Sequence, residues 1–201
     1  MELNFYREQA LETIARNLIK TFDASLLYGA AEIPIEDIIE KQYGLTVVYQ
    51  HIRKFGNVLG ETAFDDTFVA VYDKEEGRYL WLPVERGTII IDARLLNPKY
   101  YGRLRFTLAH ELAHWLIHQY LYTGSMQTAA MLKSIRKSSE ADKPVERQAD
   151  TLGSLILMPA GQVKMGFYRH RSSTDPAYEL SKVFGVSKPA MEIRMKELRL
   201  I

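Results

Sequence analysis

Arg105-Phe106-Thr107-Leu108-Ala109-His110-Glu111-Leu112-Ala113-His114-Trp115-Leu116-Ile117-His118 sets an H-E-x-x-H string, His110 to His114, inside an apolar pattern of helical period. Leu108, Leu112 and Trp115 or Leu116 recur every three to four residues, as a core-facing stripe does. On such a helix, positions four apart share a face, so both imidazoles can reach one cation. Glu111 stands beside them, where its carboxylate can take a proton from a metal-activated water. The string therefore points to a zinc hydrolase. The competing reading makes His110 and His114 ordinary core histidines, but it leaves their ring nitrogens without a ready partner.

A catalytic zinc site normally uses three protein ligands and a water. His118 extends the same helix face, yet eight residues separate it from His110, about 12 Å along the axis. Zinc bonds of about 2 Å cannot bridge that span. His118 therefore reads as a packing residue or as a partner behind the ligands, and His51 and His170 have no ligand-like spacing. A better source is the second helical stretch, Pro144-Val145-Glu146-Arg147-Gln148-Ala149-Asp150-Thr151-Leu152, which runs on to Met158 and stops before Pro159. Glu146 and Asp150 are again four apart and share a face. The pair fits a division in which Glu146 binds the metal while Asp150 hydrogen-bonds a liganding imidazole, setting its orientation and basicity. The alternative is that both are solvated surface acids, as most Asp and Glu are. Tyr120, Tyr122, Tyr168 and His170 lie near these motifs as candidate donors to a reaction oxyanion, and sequence order does not choose among them.

Phe106-Thr107-Leu108-Ala109-His110-Glu111-Leu112-Ala113-His114, then Leu116-Ile117-His118, Glu146-Arg147-Gln148-Ala149-Asp150 and Leu155-Ile156-Leu157-Met158-Pro159 together resemble the ImmA/IrrE metallopeptidases. The resemblance is close over residues 88–160 and loose elsewhere; Ala113 stands where many members carry Gly. It implies a zincin-like helical core, zinc held by His110, His114 and Glu146, and Glu111 as general base. It also implies a protein substrate, a particular transcriptional repressor, cut at a specific peptide bond. A non-catalytic regulator that binds a repressor or DNA is the alternative, although such a protein has no need of a complete catalytic set.

At 201 residues, with 47% hydrophobic and 25% charged residues, the chain suits one globular core with a small appendage. The absence of cysteine excludes disulfides, thiolate zinc sites and cysteine catalysis. Met1 to Glu8 lacks the basic-then-apolar order of a secretory signal, and no apolar run approaches the ~18 residues of a membrane span. A soluble cytoplasmic protein is the resulting expectation.

The spacing of Tyr6, Ala10, Ile14, Leu18 and Phe22 predicts a helix over 5–22. Ile33-Pro34 opens a second one through about Tyr43, ended by Gly44. Strands are expected at 45–50, 67–72, 78–82 and 88–92, with Asp73 to Gly77 as a hairpin turn. Strands followed by helices give the α+β class, with a small, largely antiparallel β-sheet. Tyr122 to Lys143 is polar and Ser/Lys-rich and reads as a surface insertion between the two metal-binding helices.

The division expected is a zinc metallopeptidase domain over 1–161 and a C-terminal helical segment over 162–201. That segment carries eight Lys/Arg against four Asp/Glu, net +4, within a whole-chain charge of +1. Its helix, Gly185-Val186 turn and second helix have a helix-turn-helix layout, with Lys188, Arg194, Lys196 and Arg199 as basic residues. Packing onto the peptidase core is favoured over DNA reading, because two helices lack the third that such domains usually need and Glu192 and Glu197 dilute the charge.

Overall fold

The computed structural model describes residues 5–56, 58–122 and 143–201. The expected insertion falls outside that set apart from its two ends. Strand β5, Thr88–Asp92, is buried at every position. It lies between β1 (Thr46–Gln50), which pairs with it in parallel, and β2 (Gly60–Thr62), which pairs antiparallel. Successive strand side chains point to opposite faces. Ile89 and Ile91 accordingly join the helical core with Leu108 and Leu112. Ile90 joins a second cluster with Val69, Val71 and Val84. Covered on both faces, β5 has no reason to alternate with polar residues.

Those valines belong to an antiparallel hairpin, β3 (Thr67–Asp73) with β4 (Arg78–Val84). The Asp73 carboxylate accepts the backbone N–H groups of Glu75 and Glu76 and so closes the expected turn. The class is α+β, with two antiparallel ladders and the parallel β1–β5 pair. Strand β2 was not expected; three residues are too few to show a period.

Helix α1 (Glu8–Asp23) buries Leu11, Ala15, Leu18 and Ile19. The helix expected from Ile33 is instead one α-helical turn, α2 (Ile35–Asp37), that widens into a π-turn over Ile38–Gln42. Helix α3 (Tyr101–Tyr122) carries the H-E-x-x-H string, and α4 (Lys143–Leu157) carries Glu146 and Asp150. Leu108 and Leu112 are buried as the stripe requires, but Ala109, Ala113 and Ile117 are as well. The α3 helix is thus enclosed on several sides rather than along one stripe. Among the described residues, no helix is long and apolar enough to cross a membrane.

Helices α5 (Ala160–His170), α6 (Pro176–Phe184) and α7 (Lys188–Glu197) follow. Asp175 caps α6 and Ser187 caps α7, each accepting a backbone N–H with its side chain. Phe184, Met191 and Met195 are fully buried in the same core as α3 and α4. Two basic residues of the helix-turn-helix pattern are engaged within the fold: Lys188 pairs with Asp175 and Glu192, while Arg194 is only 2% exposed. Arg194 donates from Nε to the Met158 carbonyl at 3.0 Å and from Nη1 to Glu197 at 3.1 Å.

Arg194 therefore ties α7 to the end of α4. Arg194→Ala should lower the stability by about 2–3 kcal/mol through lost packing and an unsatisfied carbonyl. Exposed Lys196→Ala should change it by less than about 0.5 kcal/mol. Urea unfolding midpoints of the two variants check this contrast.

Candidate metal centre

Helices α3 and α4 meet at Gly153. A Cβ built there would lie 3.2 Å from the His110 backbone nitrogen and 3.3 Å from the Ala109 carbonyl carbon. Any larger residue would push the helices apart. Two turns before Gly153 stands Glu146, and one turn before it Asp150, so the same contact brings both carboxylates to the histidine face of α3.

Glu146 Oε2 lies 3.4 Å from His110 Nε2, and Glu146 Oε1 lies 3.5 Å from His114 Nε2. The two Nε2 atoms are 3.0 Å apart. A tetrahedral ion with bonds of about 2.0–2.1 Å separates its ligand atoms by about 3.3 Å. The three side chains bring one ligand atom each within 4.8 Å of one another, close enough that they could hold a metal ion. One carboxylate and two imidazoles are also the donor types that suit zinc, although other divalent ions accept them.

Behind these atoms stands a second row. Asp150 Oδ1 lies 2.9 Å from His110 Nδ1, and His118 Nδ1 lies 3.1 Å from His114 Nδ1. If both Nε2 atoms face an ion, both Nδ1 atoms carry protons and must donate them. His110 then donates to a carboxylate and His114 to the His118 ring, which accepts at Nδ1. His118 is too far along the helix to share such an ion, and it would orient the His114 ring. His114 and His118 are fully buried, whereas the His110 side chain is 14% exposed.

Glu111 is 1% exposed, and its Oε2 accepts a hydrogen bond from Thr62 Oγ1 at 2.8 Å. The approach of β2 depends on Gly60, where a Cβ would come within 2.8 Å of Glu111 Cγ and Oε1. Sequence reasoning missed Gly60, Thr62 and Gly153. A helix glycine beside the Glu146/Asp150 pair was the available signal for Gly153, but nothing marked the short β2 strand. Of the oxyanion candidates, Tyr168 is 62% exposed and packs edge-on against Phe167. His170 ends α5, Tyr120 lies near the end of α3, and the Tyr122 side chain is outside the described residues.

The electrostatics of the bare cluster follow from this crowding. Burial disfavours the His110 imidazolium, but its bonds to Asp150 and Glu146 and the charge of Glu111 outweigh burial and push its pKa up to about 9. For Glu146, burial favours the neutral acid, yet bonds to His110 and His114 hold it well below the usual carboxylate range. The metal-free site thus keeps a proton on His110 at neutral pH.

That proton and an ion compete for His110 Nε2. Metal affinity should therefore rise with pH through neutrality and level off above about 9, where no proton remains to be displaced; titrations with zinc in a pH series check the slope. His118→Phe should keep the fold and weaken zinc binding about 10–100-fold, because the His114 Nδ1 proton loses its acceptor.

The chain can now be set beside known proteins. No curated protein matches it. Among solved structures, a Mycobacterium tuberculosis transcriptional regulator superposes with a TM-score of 0.51 at 16% identity. The likeness covers 92% of this chain and 46% of that one, so the chain spans less than half of the regulator, and at this identity it shows a shared fold. The model of the IrrE N-terminal-like domain, Peptidase_M78, matches residues 71–196, a stretch that runs from β3 into α7 and contains His110, Glu111, His114, Glu146 and Asp150. On that match over more than half its length, the chain belongs to the Peptidase_M78 (IrrE N-terminal-like) family.

Proposed function

We propose that this protein is a zinc-dependent endopeptidase that cuts one peptide bond in a specific protein, a transcriptional repressor, in the cytoplasm. The observation that carries the reading is the convergence of His110, His114 and Glu146 within reach of one ion, with a buried carboxylate, Glu111, on the same helix as the two histidines.

His110, His114 and Glu146 hold the ion, with Asp150 and His118 orienting the two rings. When bound, zinc supplies Lewis acidity, lowering the pKa of water from about 16 to about 7 and polarising the peptide carbonyl. Glu111, steered by Thr62, accepts the proton of the attacking water and hands it to the leaving amine. Its burial keeps competing solvent away from the reacting groups. The regulatory setting rests on the family resemblance, and it agrees with the solved relative being a transcriptional regulator.

Glu111→Gln removes the base while leaving all three ligands. It should bind zinc one to one like the wild type and cleave about 10²–10⁴-fold more slowly. The assay incubates both proteins with zinc and the repressor encoded beside the gene, and reads the fragments by mass spectrometry. Equal cleavage by both proteins, or none by either with zinc bound, would contradict the enzymatic reading and favour a regulator that only binds.

A further inference from the structure

Helix α5 begins beside a cavity, and nothing caps it there. Its first residues, Ala160, Gly161 and Gln162, follow Pro159, whose side chain makes no capping bond. Their N–H groups have no acceptor within the helix, because the ladder starts one residue later, with Val163 donating to the Pro159 carbonyl. The cavity at this helix end measures about 370 Å³ and has Ala15, Leu27 and Leu155 as apolar walls. A Cβ built on Gly161 meets no atom within 4 Å, so the first turn can be approached closely.

Gln162 also lines the cavity, and it is only 3% exposed. Its Nε2 donates to the Leu26 carbonyl at 3.3 Å, which fixes the amide orientation and turns Oε1 the other way. A glutamine third in a helix can bond back to the N–H of the capping residue, but Pro159 has none. Among the described residues no donor reaches Oε1, and the atom is not sealed in the core, so it faces the cavity. From α1, one acid and one base complete the lining: Glu12 and Arg16, one turn apart. Arg194 Nη2 stands behind Glu12 at 3.9 Å. Arg16 has no ion pair or hydrogen bond among the described residues.

We propose that this cavity binds a free α-amino acid with an apolar side chain. Donors and acceptors divide as such a zwitterion needs. Its carboxylate accepts from Arg16 and from the N–H groups of Ala160 and Gly161, where the helix dipole adds to the attraction. Its ammonium group donates to Gln162 Oε1 and to Glu12, while its side chain rests on Leu27 and Leu155. The volume lies near the lower end of small-molecule sites, roughly 300–1,000 Å³. Charge disfavours simpler ligands: a phosphate or dicarboxylate meets Glu12, and a bare amine meets Arg16. No lining residue is a metal ligand or the proposed base, so the inference does not rest on the catalytic reading.

Calorimetric titration of the zinc-loaded full chain with L-leucine tests the site, with an expected dissociation constant of about 0.1–1 mM. Isocaproate lacks the ammonium group and isoamylamine the carboxylate; each should bind at least about tenfold more weakly than leucine. Arg16→Met and Gln162→Met should each weaken leucine binding at least about tenfold with unchanged circular dichroism. Lys164→Ala, on the exposed side of α5, should leave the affinity as it is. No binding up to about 20 mM leucine overturns the proposal. So does equal binding of the acid or the amine alone, or binding indifferent to Arg16→Met, as leucine chelated by the zinc would be. Peptide cleavage plays no part in the readout, so failure here leaves the catalytic reading standing, and the reverse also holds.

Discussion

The close approach of α3 and α4 at Gly153 is the constraint on which the site depends. With the His110 backbone nitrogen 3.2 Å from where a Cβ would be, the two helices are nearly in backbone contact. At that separation the Glu146 carboxylate comes within 3.4 Å of His110 and 3.5 Å of His114. Packing below the site keeps the helices there: Ala109, Ala113, Ala149 and Leu152 are fully buried, and three of the four are alanines. Small residues let the helices close, and the closing brings the donor atoms together.

That arrangement gathers groups that resist being together without an ion. Three histidines on one face of α3 crowd against the carboxylates of Glu111, Glu146 and Asp150, and unpaired charge on the buried members, His114 and Glu111 among them, costs several kcal/mol. The bare cluster relieves this with a retained proton on His110 and a strongly ionised Glu146. A divalent cation would relieve it better, because it would satisfy all three donors at once. Binding energy and folding energy are then coupled, as expected where a site is assembled from two helices that meet only in the folded state. The β5 strand completes the support, since Ile89 and Ile91 back the α3 helix while neighbouring β2 delivers Thr62 to Glu111.

The parts of this account that were legible in the sequence are those set by local periodicity. Four-residue spacing placed His110 with His114 and Glu146 with Asp150, and eight-residue spacing set His118 apart from His110. The hairpin about Asp73 to Gly77 followed from alternation and a turn. What stayed hidden depends on contacts between distant segments. The parallel β1–β5 pairing, the edge strand β2 and the role of Thr62 are matters of register, which no local pattern encodes. His118 is instructive here: its spacing excluded it as a ligand and left packing or a place behind the ligands, and the 3.1 Å contact with His114 Nδ1 favours the second. The π-turn over Ile38–Gln42 also escaped notice, since its residues have an ordinary helical pattern.

The central claim is that one ion is held by two imidazoles and one carboxylate contributed by two helices. X-ray absorption spectroscopy on the zinc-loaded protein addresses it directly. Four nitrogen and oxygen ligands at about 2.0–2.1 Å, with scattering from two imidazole rings, is the result this account predicts. A spectrum with three imidazoles, or with a six-coordinate shell of oxygens at longer distance, would contradict it.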